Sequence, residues 1–191
     1  MQTEAIPTNW TNKADFANDV YNAFVRIGLP PQAAELFTAH SALSTGWGKS
    51  TFNWNLAGLK LRSGYEDTYD WHYALGSEDP DGMAAKKQMQ WRSFSTIDEG
   101  VQALWNNLQN SRYDSARALM MAGDTEYFAE VGRNGWYNAY PEQMKSEMTS
   151  NLNYIRSVLG SGGTVEAGTG GLGLVLLVGV GVWYLLKYFK K

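Results

Sequence analysis

Ala39-His40-Ser41-Ala42-Leu43-Ser44-Thr45-Gly46-Trp47-Gly48-Lys49-Ser50 reads as the last turns of an amphipathic helix that break into a glycine turn around a tryptophan. Shortly after it comes Asn55-Leu56-Ala57-Gly58-Leu59-Lys60. Upstream, Phe16, Val20, Phe24 and Ile27 recur at helical spacing and stop at Gly28-Leu29-Pro30-Pro31. Pro31, suited to a first helical turn, opens a second helix that runs to Ser44, with Ala33, Phe37, His40 and Ser44 on one face. Downstream, from Phe52 to Phe94, the pattern loosens into Gly, Asp and aromatics. Short alternating runs at Tyr69–Tyr73 and Gln88–Arg92 predict a small irregular β lobe.

Thr96 with Glu99 forms a capping box, and Ile97, Val101, Leu104, Trp105 and Leu108 make the buried stripe of the helix it opens. Shorter helices are expected around Tyr113–Met121 and Asp124–Val131. A last one is expected from near Pro141 through Met144, Met148, Leu152, Ile155 and Leu159 to a stop at Gly160. The class expected is α+β, mainly α, with too few strands for a sheet-based fold.

The chain of 191 residues has no cysteine, which excludes disulfides and thiolate metal sites. Its 16 Lys+Arg against 19 Asp+Glu argue against nucleic acid as a partner. Eight tryptophans and eleven tyrosines suit either an aromatic core or a sugar cleft, because flat rings complement the C–H faces of pyranoses. Residues 167–186 carry no charge. A helix of that length covers ~30 Å, the thickness of a bilayer's hydrocarbon core. Trp183, Tyr184 and Tyr188 beside Lys187, Lys190 and Lys191 fit an interfacial end with a positive flank. The expected organisation is a domain over 1–160, a Gly/Ser-rich linker over 161–170, and a transmembrane helix with basic tail over 171–191, in contact with lipid through 171–186. Met1 to Asp15 is polar and shows no signal peptide.

The Ser-Thr-Gly-Trp-Gly-Lys-Ser run and Asn-Leu-Ala-Gly-Leu-Lys together resemble the glucosaminidase family of peptidoglycan hydrolases, the flagellar-rod type with a lysozyme-like fold. That family reads Ala-Leu-Glu-(Ser/Thr)-Gly-Trp-Gly-Lys-Ser, then Asn-Leu-Phe-Gly-Ile-Lys. The resemblance extends over about residues 12 to 158, through Trp91–Thr96, Asp98–Val101, Arg112-Tyr113 and Gly135–Asn138. It implies cleavage of the glycan backbone of peptidoglycan, with no cofactor and no metal. It also places Ser44 where the family has its catalytic glutamate. Glycosidic cleavage needs a proton delivered to the leaving oxygen and usually a second carboxylate, and a serine hydroxyl is too weak an acid to deliver that proton.

Glu35 lies nine residues earlier on the same helix, ~13 Å back. Glu66, Asp67 and Asp70 fall in the region from which the family draws its second carboxylate; they are candidate catalytic groups or a solvated acidic hairpin. Trp47, Asn55, Trp136 and Tyr137 are the candidate substrate-binding residues by resemblance, Trp47 being equally suited to plug the turn. Two rival chemistries are weaker. His40 and Ser44 lie i, i+4 on one helix face as a Ser–His dyad would, but Ser44 lacks the tight turn of a nucleophile. His72 with Asp70 and Glu66 lacks metal-ligand spacing. The expectation is a membrane-anchored peptidoglycan hydrolase-like domain, set in the internal membrane of a tail-less bacteriophage virion. The alternative is an inert wall-binding or structural module on the same fold.

Overall fold

The computed structural model describes residues 1–61, 63–76, 87–136 and 141–162. The elements are α1 (Lys13–Arg26), α2 (Pro31–Thr45), β1 (Trp71–Gly76), β2 (Lys87–Arg92), α3 (Ile97–Leu108), α4 (Asp114–Met121), α5 (Tyr127–Arg133) and α6 (Pro141–Gly162), with a 3-10 turn at Ser111–Tyr113 before α4. The two strands pair antiparallel, Trp71 opposite Arg92 and Gly76 opposite Lys87. A helical body with a small two-stranded lobe is the α+β, mainly helical architecture expected. The expected membrane helix and linker lie outside the described residues; among those described, no helix is long and apolar enough to cross a membrane.

Local signals explain the helix ends. The Asn12 side chain accepts from the amides of Ala14 and Asp15 at 2.8 and 2.9 Å and starts α1, and Gly28 at φ 94° closes it. Thr96 Oγ1 accepts from Glu99 N at 3.2 Å, while Glu99 Oε2 reaches back to the amide of Ser95, one residue earlier than an ideal capping box. α6 continues to Gly162 rather than stopping at Gly160.

α2 departs from the expected single apolar face. It packs against α1, α4 and α6 and is buried almost all round, from Ala33 to Thr45. A central helix has no solvent face, so its polar side chains must find partners within the protein. Thr38 and Thr45 do so by donating to the carbonyls of Ala34 and Ser41 at 2.8 and 2.7 Å. Phe16, Phe24, Phe37, Leu104, Met148 and Ile155 pack in the same core.

The N-terminal segment completes the β lobe. Thr3 N donates to Trp71 O at 2.7 Å, Trp71 N to Met1 O at 3.0 Å, and Asn53 Nδ2 ties Glu4 O to Ser93 Oγ at 2.8 and 3.0 Å. Two glycines then let the lobe close on the helices. A Cβ on Gly100 of α3 would stand 2.1 Å from the Trp54 carbonyl oxygen, and one on Gly48 would stand 2.3 Å from the Trp10 ring. Side chains do not fit at either place.

Candidate functional site

The end of α2 turns through three successive left-handed residues, Gly46, Trp47 and Gly48, at φ 58°, 62° and 82°. Trp47 N returns to Ala42 O at 2.9 Å and Gly48 N to Thr45 Oγ1 at 3.0 Å, so the turn is fixed by the helix it ends. Glycine takes this backbone without strain; Trp47 takes it because its ring is held. That ring meets Phe16 and Tyr154 edge-on at 5.8 and 5.2 Å, and Lys13 Nζ lies 4.9 Å from its centre. The half-buried tryptophan therefore packs between α1 and α6, and it also lines an open cavity with Leu43, Gly46, Glu147 and Ser150.

Ser44 is half-buried, and its hydroxyl donates to the carbonyl of His40 at 3.0 Å. His40 is fully buried, with Nδ1 2.7 Å from the Tyr127 hydroxyl. Burial pulls its pKa down to about 3. So weak a base cannot activate a serine near neutral pH, and a ring neutral there delivers no proton. The Ser–His dyad is thus not assembled: the histidine belongs to a packed aromatic group, with Trp136 edge-on at 4.9 Å and Tyr113 5.3 Å from Trp136. Trp136 takes its place there partly buried; Tyr137 lies outside the described residues.

The acids are scattered. Glu66 Oε2 accepts from the amide of Gly64 at 2.8 Å, and Asp67 is exposed. Asp70 Oδ1 lies 3.1 Å from the Met1 ammonium. They belong to a solvated turn that leads into β1 rather than to a hairpin. Glu35 is held by Arg156 at 2.8 Å on α6. His72 is buried, its pKa lowered by desolvation, and its Nδ1 lies 2.9 Å from Ser93 Oγ. Among the described residues no group of three or more His, Asp or Glu could hold a metal ion.

Asn55 is a framework residue. Its amide donates to Leu59 O and Arg92 O at 2.9 and 3.0 Å, and its carbonyl accepts from Leu59 N at 2.8 Å. Both donors are consumed by main chain, so the direct sugar contact expected of it gives way to a structural role. Asn55 clamps the 55–59 turn to the end of β2.

That clamp shapes a cavity of about 440 Å³ between the β lobe and the end of α3. Its walls include Tyr65, Tyr69, Lys60, Arg92, Asn106 and Asn110. Tyr65 and Tyr69 are stacked, 6.2 Å between centres at 21°. The Arg92 guanidinium carbon lies over the Tyr69 ring, 3.8 Å from its centre, and 5.4 Å from the centre of the Phe94 ring. Burial lowers the Arg92 pKa and Tyr69 opposes that fall, leaving the group a cation. Asn110 also connects the cavity to α2 by contact: its Oδ1 accepts from Arg112 N at 3.2 Å, Arg112 bonds the Tyr113 hydroxyl, and Tyr113 meets Trp136 against His40. Sequence reasoning missed the amide side chains of 106–110 altogether. The Tyr65/Tyr69 pair was legible only as an aromatic-rich stretch.

A helical body carrying a small β lobe over a glycine–tryptophan turn is the lysozyme-like architecture. Residues 17–153 match the Glucosaminidase family, described as mannosyl-glycoprotein endo-beta-N-acetylglucosaminidase, and the chain belongs to that family. Among solved structures it is similar to a peptidoglycan hydrolase mutant from Sphingomonas sp. A1, at 20% identity and a TM-score of 0.59, covering 78% of this chain and 99% of that one. It is also similar to a C-terminally truncated glycoside hydrolase domain of FlgJ from Salmonella typhimurium, at 22% identity and a TM-score of 0.52, covering 76% and 99%. No curated protein matches the chain.

Proposed function

We propose that this chain is a peptidoglycan hydrolase-like domain that engages the N-acetylglucosamine–N-acetylmuramic acid strand in the groove between the β lobe and the end of α3. The observation that carries the proposal is the cavity of about 440 Å³ on a glucosaminidase scaffold, lined by stacked tyrosines, a guanidinium and side-chain amides. Sugar rings offer apolar C–H faces and a rim of hydroxyls, which aromatic faces and amides match.

Binding takes precedence over turnover in this reading. At the position that the resemblance gives to the family's acid, Ser44 offers a hydroxyl already donating to its own helix. His40 is neutral and buried, and Glu35 is paired with Arg156. Loss of general acid catalysis lowers a rate by ~10²–10⁴. One observation favours a second reading, hydrolysis by a rearranged acid: Glu66 and Asp67 sit on the same turn as Tyr65 and Tyr69 and are not held in ion pairs among the described residues. Zymography on purified cell walls, beside calorimetric titration with chitooligosaccharide, tests both. Binding without clearing supports the first reading and clearing the second; no binding of any glycan sinks the proposal.

The tether is part of the same proposal. The uncharged run of 167–186 with lysines after it supports insertion of 171–186 into a bilayer, and a membrane-containing phage virion is the setting we propose for it. The full chain should partition into detergent while a chain ended at Gly162 stays in water and keeps its fold. Aggregation of the shortened chain would mean that the tail belongs to the core.

A further inference from the structure

Arg92 lines the cavity with its guanidinium stacked on Tyr69, and its Nε is buried without a hydrogen-bond partner. Among the described residues no carboxylate pairs with it. Arg26, Arg117, Arg133 and Arg156 pair with carboxylates, at 2.6 Å to Asp98, 2.6 Å to Asp114, 2.7 Å to Glu142 and 2.8 Å to Glu35, while Arg112 bonds the Tyr113 hydroxyl. Arg92 is half-buried, a buried N–H without an acceptor is costly, and a ligand oxygen within reach of the guanidinium would offset part of that cost. Lys60, on the same wall with Nζ 5.9 Å from the Trp91 ring, adds a second cation. Among the described residues no Asp or Glu lines the cavity. Two opposing fields remain: the C-terminal end of α3 at Asn106 and Asn107, about half a negative charge, and the Glu66 and Asp67 carboxylates, which stand on the turn between Tyr65 and Tyr69 without lining the cavity and are screened by solvent. The donors of Asn106, Asn107 and Asn110 complete a wall that suits an oxyanion.

From this, and resting on the glycan reading above, we propose that the cavity is a carboxylate subsite that takes an acidic group of the muramyl unit and so distinguishes peptidoglycan from neutral N-acetylglucosamine polymers. Arg92 binds the carboxylate, Tyr69 holds the guanidinium in place, and Lys60 contributes charge at the rim. Two carboxylates share this chemistry: the free lactyl carboxyl of a strand stripped of peptide, and a carboxyl of the stem peptide, present where the lactyl group is amidated.

The test is calorimetric titration of the protein with three ligands of matched sugar length: neutral chitooligosaccharide, N-acetylglucosaminyl-muramic acid with its lactyl carboxyl free, and the same glycan carrying a stem peptide. The expected result is binding about tenfold tighter for at least one acidic ligand than for the neutral one. That advantage should shrink as salt is raised. Whichever acidic ligand binds more tightly identifies the source of the carboxylate. Arg92→Gln should weaken binding of all three ligands but the acidic ones by far the most, bringing them to a common affinity; Arg92→Lys should restore part of the advantage, and Lys60→Gln should reduce it. Equal binding of all three ligands to the parent protein overturns the subsite, whether or not the Arg92 variants fold. No binding of any ligand removes the glycan reading itself, and this proposal with it.

Discussion

The end of α2 and the cavity beneath the β lobe both lie on residues that carry the family resemblance, yet they differ in what their polar groups are free to do. Around α2 the polar groups turn inward: Ser44 donates to His40 O, His40 pairs with Tyr127, and Trp47 is wedged between Phe16 and Tyr154. Around the cavity Arg92 and the amide side chains of Asn106, Asn107 and Asn110 line an open wall, with Arg92 Nε buried behind it and unpartnered. On the reading proposed above, the scaffold keeps the shape of a catalytic helix end without the family's acid, and a recognition wall beside it. Shape and reactivity separate because the glycine turn needs only backbone geometry, whereas proton transfer needs one side chain of the right pKa.

The largest effect should come from reversing that difference at its source. Ser44→Glu puts a carboxyl at the C-terminal end of α2, where the helix dipole disfavours the anion and half-burial desolvates it. Both raise the carboxyl's pKa, as a general acid requires. Lysis of purified walls should rise by about 10²–10⁴ over the parent, with a new alkaline limb in the pH–rate profile. A variant that folds and binds glycan but still does not lyse would show that more than the residue at position 44 separates this chain from a lytic enzyme.

Next in size is a test of the shared frame. Gly100→Ala forces a Cβ to within 2.1 Å of the Trp54 carbonyl oxygen, which is backbone and cannot rotate away. The expected loss is about 3 kcal/mol in urea unfolding. Asn55→Ala should cost about 2 kcal/mol, because it removes the Asn55 partners of Leu59 N and Arg92 O where the 55–59 turn meets β2, while Leu59 O keeps the Arg92 amide at 3.0 Å. Its glycan affinity should fall only through loosening of the Arg92 wall. If instead Asn55→Ala keeps full stability and loses binding alone, Asn55 touches sugar and the framework role is wrong.

The helices were legible because their periodicity and caps are local: Asn12, Thr96 and Gly28 sit where the chain needs them. The site was less so. The Asp70 carboxylate looks like a catalytic candidate until its partner, the Met1 ammonium, is found 69 positions away. Asn55 matches a family motif whether it holds sugar or main chain, and only the fold distinguishes the two. Asn106 and Asn110 reach the cavity because α3 ends there, opposite a turn 40 residues earlier, and no local pattern encodes that meeting. The absence of a pairing acid at Arg92 among the described residues is likewise a property of the assembled lobe.

The smallest effect compares the two regions through their buried histidines. His40, behind α2, has its pKa pulled from 6.5 to about 3; His72, in the β lobe, is lowered as well, both by desolvation. A histidine whose folded pKa lies below its unfolded value contributes no pH dependence above pH 6.5. As pH falls below 6.5 the unfolded chain takes up a proton that the folded chain refuses, so stability declines, and for His40 the decline continues to about pH 3. The slope approaches about 1.4 kcal/mol per pH unit for each proton so refused. Between pH 6.5 and 5 carboxylates contribute little, so the histidines dominate, and His40 alone should account for a loss of about 1–2 kcal/mol. Urea titrations at pH 7, 6 and 5 check this. His72→Gln should keep most of the slope, whereas His40→Gln should flatten it, since His40 is held the more deeply in its neutral form. The opposite ranking would mean that the β lobe, not the aromatic group behind Ser44, is the drier and more rigid of the two regions.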